Sequence, residues 1–176
     1  MPKPEQQEIL ERLERGRAAL RQALSGVDER LAAARPGPGA WSILECVEHL
    51  AASERFLLSR LSAATPADQS QANPARETRI LECAIDRANR VTAPEPGRPH
   101  GRFHSLADAV AAFDSVRAET IRFVEAFSAD LRSASTSHPL IPGPINCYEM
   151  LLMLALHPAR HARQIEEVRR ELGSLR

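Results

Sequence analysis

Residues 146–172, NCYEMLLMLALHPARHARQIEEVRREL, decide the fold. They read as one long helix. An apolar half (Met150, Leu151, Leu152, Met153, Leu154, Leu156) runs into a charged half that keeps Ile165 and Val168 on one side. His157 and His161 stand between the halves, four residues apart, and so stack on one helix face. Two stacked imidazoles can share a metal ion, each offering a neutral ring nitrogen. They are half a site, and an i,i+4 histidine pair also arises as two ordinary polar side chains. Pro158 cannot donate the helical hydrogen bond to Leu154, so the helix either kinks there or restarts with Pro158 in its first turn.

Working outward, the rest of the chain supplies partners for this helix. Residues 5–34 carry Ile9, Leu10, Leu13, Leu20, Leu24, Val27 and Leu31 at threes and fours, with Gly16 and Gly26 weakening the period and Ser25-Gly26 marking a bend. RPGPGA breaks the pattern at 35–40. A second main helix follows to about Leu61, opened by Ser42 with Glu45 at capping-box spacing and Trp41 in the staple position. Residues 65–78 are polar and turn-like, 80–90 predict a short helix, and VTAPEPGRPHGRF then ends helical character. A third main helix starts after Ser105, with Asp108 as the acidic partner of a second capping box, and its apolar set runs from Leu106 to Leu131. STSHPLIPGPIN separates it from the fourth. Four long segments and no convincing strand predict an all-α four-helix bundle, one domain over residues 1–176, with a short extra helix in the connection between the second and third main helices.

Composition narrows the function. Twenty-three basic residues balance 23 acidic ones, and the basic residues are almost all arginine, interleaved with glutamate and forming no block. That is the pattern of solvated helix faces, without the basic excess of a nucleic-acid binder. The cysteines, Cys46, Cys83 and Cys147, are odd in number and form no CxxC, so no disulfide framework or thiolate zinc knuckle is expected. A reducing compartment fits best. The N-terminus has no apolar core of a signal peptide, and the run 150–156 is too short to span a bilayer. The expectation is a cytoplasmic protein with no membrane and no nucleic-acid partner.

Six histidines are available. His100, His104 and His138 lie in Pro/Gly/Ser-rich connections and read as solvated imidazoles. His49 is the only histidine besides the pair inside a long predicted helix, although helical periodicity places it outside the centre of that helix's apolar arc. Glu45, Glu48 and Glu54 read as solvent-facing or structural acids, with Glu48 doing no more than solvating its helix. Gln164 reads as an exposed helix former with a lesser prospect of orienting a ligand, and Arg160 and Arg163 as surface residues unless they line the mouth of a site. Cys46 and Cys147 read as small buried thiols, Met150 and Met153 as core filler, and Trp41 as an anchor of the second helix.

Several short motifs occur together: Trp41-Ser42 opening a helix that holds Glu48-His49-Leu50, the crossing from Ala93-Pro94 to Pro99 followed by Gly101-Arg102-Phe103, and His157-x-x-x-His161-x-x-Gln164-Ile165. In order and spacing over nearly the whole chain they resemble the DinB-like superfamily, which includes the YfiT-type proteins and thiol-dependent transferases. The resemblance implies a four-helix bundle with an unusual left-handed arrangement and a divalent ion, often nickel or zinc, held by His49, His157 and His161. Three imidazoles leave an open position, from which an ion can lower the pKa of water or a thiol, or polarise a carbonyl. The activities implied are transfer of a low-molecular-weight thiol to an electrophilic substrate, thiol-dependent isomerisation, or hydrolysis. The other expectation is a non-catalytic stress or interaction protein with a structural metal or none. A bundle of this kind can also pair through an apolar helix face, which makes a homodimer a further expectation.

Overall fold

The computed structural model describes residues 3–67, 72–88 and 91–174. Its helices in chain order are α1 (Pro4–Ala23), α2 (Glu29–Ala33), α3 (Ile43–Ser62), α4 (Pro74–Cys83), α5 (Leu106–Ala126) and α6 (Cys147–Ser174). α1, α3, α5 and α6 form the expected bundle, with α1 packed mainly on α6, and α3 on both α5 and α6. The predicted first segment divides near the expected bend, and Asp28 caps α2 by accepting the Leu31 amide. The Ser42–Glu45 capping box is present in both directions, at 3.1 and 2.8 Å. Ser105 caps α5 through its hydroxyl, which accepts the Asp108 amide. Leu131 lies beyond α5, in a short 3-10 turn.

Two local expectations are corrected. The short extra helix begins at Pro74 and ends at Cys83 instead of running over 80–90, because Asn73 caps it and Pro74 is pre-set for a first helical turn. Its predicted end, Asn89 and Arg90, lies outside the described residues. Three short antiparallel strands are also present: β1 (Thr65–Pro66), β2 (Ala134–Ser137) and β3 (Pro144–Asn146), with β2 in the middle. Strands of two to four residues are too short to display an alternating pattern. They fold residues 138–143 back over the bundle.

The core is two apolar clusters separated by a polar layer. Ile9, Leu13, Leu57, Leu61, Val124, Leu151 and Leu154 belong to one, and Leu20, Val47, Leu50, Phe113, Ile165 and Val168 to the other. Between them lies Arg117, fully buried. It donates twice to Glu54 (2.8 and 2.7 Å), once to the Leu13 carbonyl (2.8 Å) and once to the Leu154 carbonyl (3.0 Å). Thr120 donates its hydroxyl to the same Glu54 at 2.8 Å. The Leu154 carbonyl is the acceptor that Pro158 leaves without a helical donor. α6 therefore continues unbroken through Pro158 and does not restart there.

Gly16 faces this layer. A Cβ on it would overlap the Ala155 carbonyl oxygen and lie 3.6 Å from Pro158 Cδ. Its role is close approach of α1 to α6, where sequence alone reads it as a weak point.

Two stability outcomes follow. Gly16→Ala, which helix propensity alone would make stabilising, should instead cost about 1–3 kcal/mol through overpacking. Arg117→Ala leaves Glu54 buried and uncompensated and should cost about 3–5 kcal/mol. Urea denaturation of the two variants against the parent protein measures both.

Candidate metal centre

α3 delivers His49, and α6 delivers His157 and His161 one turn apart. The three rings meet at their Nε2 atoms. His49 Nε2 lies 3.1 Å from His157 Nε2, which lies 3.0 Å from His161 Nε2, and all three fall within 4.8 Å of one another. His49 and His161 are buried, and His157 is partly exposed to the cleft described below. His49 is thus turned inward, which periodicity alone left open. It can be buried because α3 contacts both α5 and α6, and so has no single outward face.

This arrangement fits a cation. His49 Nδ1 lies 2.6 Å from the Gly97 carbonyl oxygen. That oxygen can only accept, so Nδ1 carries the proton and Nε2 presents a lone pair. A neutral His157 or His161 can bring one further N–H to the cluster's two 3 Å contacts. On His161 Nε2 that proton satisfies one contact and leaves His157 facing His49 lone pair to lone pair; on His157 Nε2 it can point well at only one of the two neighbours. A cation satisfies all three. Tetrahedral coordination at about 2.0–2.1 Å would place ligand nitrogens about 3.3 Å apart, close to the 3.1 and 3.0 Å that separate His157 Nε2 from its two partners. The donor set contains no carboxylate or thiolate, so three neutral ligands would leave a divalent ion its full charge. The other nitrogen of His161, Nδ1, is buried with no hydrogen-bond partner. The Trp41 ring stacks 6.3 Å from the His161 ring and lies 4.9 Å from that of His49. Trp41 is therefore a wall of the site as well as an anchor for α3.

The triad opens on a cleft of about 1110 Å³. α4 forms the facing wall, and it and the turn that follows it are tied to α6 beyond both ends of the triad. Arg76 donates to both oxygens of buried Glu149 at 2.7 and 2.8 Å, and Arg87 reaches Glu167 at 2.7 Å and Gln164 at 2.9 Å. Gln164 therefore serves the cleft wall and not a ligand histidine. Arg160 lines the cleft, whereas Arg163 is exposed and donates to the Ile85 carbonyl.

His138 departs from expectation. The strand pair β2–β3 folds its connection over the cleft, and His138 lines it, half-buried, with Nδ1 accepting the Leu140 amide. His100 and His104 are exposed as expected. Glu48 and Glu54 are buried and engaged, and no sequence signal sets them apart from the partly exposed Glu45 on the same helix. Cys46 and Cys147 are buried, and burial raises their thiols to about 12 and about 11, beyond nucleophilic use at neutral pH. Met150 is core, while Met153 also reaches the cleft.

Burial holds His157 and His161 well below the usual imidazole range, with neighbouring positive charges adding to it. Burial also lowers His49, against the opposing effect of the Gly97 hydrogen bond, and lowers His138 to about 4. In the unfolded chain these groups protonate near 6.5. Below that pH the unfolded state binds more protons, so stability is full above it and falls with pH, down to about 4 for His138. The melting temperature of metal-free protein should drop steadily from pH 7 to pH 5. Replacing His157 by Gln should flatten that slope in the same thermal scans.

The family model described as the DinB superfamily matches residues 12–165. TT2238, a four-helix bundle protein of known crystal structure, is 24% identical, with a TM-score of 0.59, over 92% of this chain and 98% of its own. YfiT from Bacillus subtilis, a probable metal-dependent hydrolase with an unusual four-helix bundle topology, is 17% identical, with a TM-score of 0.61, over 98% of this chain and 90% of its own. At these identities the two structures speak for the fold alone. No curated protein matches the sequence. No helix among the described residues is long and apolar enough to cross a membrane. With a bundle of this topology, and a family match that spans all three histidines, the chain belongs to the DinB superfamily.

Proposed function

We propose that this protein is a divalent-metal-dependent enzyme whose ion, nickel or zinc, is held by His49, His157 and His161, and that it transfers a low-molecular-weight thiol to an electrophilic substrate. The observation that carries this reading is the convergence of three Nε2 atoms beside a large cleft. Bound there, a divalent ion supplies Lewis acidity toward a thiol, a water or a carbonyl. The residues around it supply the rest. Gly97 holds the His49 ring, Trp41 packs on two of the three ligands, and Arg160 offers positive charge to an anionic substrate.

Thiol transfer is favoured over hydrolysis by the state of the nearby acids. Glu48, Glu54 and Glu167 are each committed to arginine, and Glu48 and Glu54 to further donors as well. Glu171 lines the cleft ten residues beyond His161, about 15 Å along the helix. With no uncommitted carboxylate close to the triad among the described residues, the site suits a thiol, whose pKa of about 8.5 lies far below that of water. Metal-dependent hydrolysis is the second reading, favoured by the fold shared with YfiT.

Purified protein should retain close to one divalent ion per chain by element analysis, and His157→Ala or His161→Ala should lose most of it. Equally empty parent and variants after metal addition would defeat the metal reading. In a screen of low-molecular-weight thiols with electrophiles, turnover should require both the ion and the thiol. Turnover indifferent to thiol would select hydrolysis instead.

A further inference from the structure

Glu48 precedes His49 on α3 and is 1% exposed. Its carboxylate accepts the backbone amides of His100 (2.6 Å), Gly101 (3.1 Å) and Arg102 (3.2 Å), and the Arg102 guanidinium at 3.0 Å. Three successive amides converging on one carboxylate form an anion nest for which the protein supplies its own anion. A carboxylate this deeply buried is tolerable only with such donors.

The same segment begins at the short 3-10 turn Glu95–Gly97, whose last carbonyl takes the His49 Nδ1 proton. Gly97 is buried. A Cβ there would overlap Ser53 Oγ and stand 3.5 Å from His49 Cε1 and Nδ1. Two adjacent residues of α3 therefore grip one crossing strap at two points. His49 holds it at 97, and Glu48 holds it at 100–102.

We propose that Glu48 is the positioning residue of the histidine triad. By pinning residues 100–102 it keeps the Gly97 carbonyl against His49, which fixes that ring's tautomer and aims Nε2 at His157 and His161. The consequence for metal affinity rests on the triad being the metal centre. The clamp itself is a property of the metal-free chain.

The test therefore has one arm in each state. In metal-free protein, Glu48→Gln should speed hydrogen exchange at the amides of residues 100–102 about tenfold, the scale of one lost charge-assisted hydrogen bond. Imidazole 15N shifts of His49 should move from a pure Nδ1–H tautomer toward a mixture. In the metal arm, titration with Co(II) should give an affinity about 10–100-fold weaker, with altered ligand-field absorption, at unchanged helical circular dichroism. Arg102→Ala removes only the half-exposed arm of the clamp and should shift the same readouts in the same direction by less.

Parent-like exchange and an unchanged His49 tautomer in folded Glu48→Gln would overturn the proposal. So would a Co(II) affinity within about twofold of the parent, against the expected loss. If Glu48→Gln does not fold, unchanged exchange and tautomer in Arg102→Ala overturn it. If parent and variants alike take up no Co(II) while exchange and tautomer respond, the clamp stands and the metal reading falls.

Discussion

The guanidinium of Arg117 is the interaction on which this bundle turns. Buried between two apolar clusters, it meets a carboxylate from α3 and carbonyls from α1 and α6 while standing on α5. A buried ion pair is seldom justified by its own net energy. Here it also answers a vacancy in the backbone, because Pro158 deprives the Leu154 carbonyl of its helical donor and Arg117 provides one. All four main helices are thereby registered at one level. Gly16 lets α1 close on α6 at the same level.

The histidines inherit that registration. Glu54 lies five residues beyond His49 on α3, and Leu154 lies three residues before His157 on α6, so fixing the first pair of positions sets the spacing of the second. A proline inside α6 is thus compatible with a site that spans two helices. The neutrality of the site comes from the same packing. Desolvation disfavours protonated imidazole, and lone pairs rather than charges face one another. Such a cluster is poised for a cation and poorly suited to stand empty at low pH.

The pieces legible in the sequence were those with short-range causes. Capping at Ser42 and Ser105, the apolar periods of the long helices, and the stacking of His157 on His161 depend on neighbours within a turn. Hidden from it were features whose partners lie far along the chain. Glu48 reads like any helical acid until residues 100–102 arrive, and Gly16 looks like a weak helix residue until Ala155 is placed against it. His138 looks like a solvated loop residue until two short strands fold it over the cleft.

The bundle class and the approximate course of its main helices were thus readable from the chain alone, and motif order singled out the three histidines that cluster, since periodicity, capping and motif order are local or cumulative properties. Only the tertiary structure decided that His49 faces inward, that its proton sits on Nδ1 and that an arginine completes the proline's helix. Those outcomes depend on which groups share a buried volume, where an unpaired polar atom is costly enough to choose one arrangement.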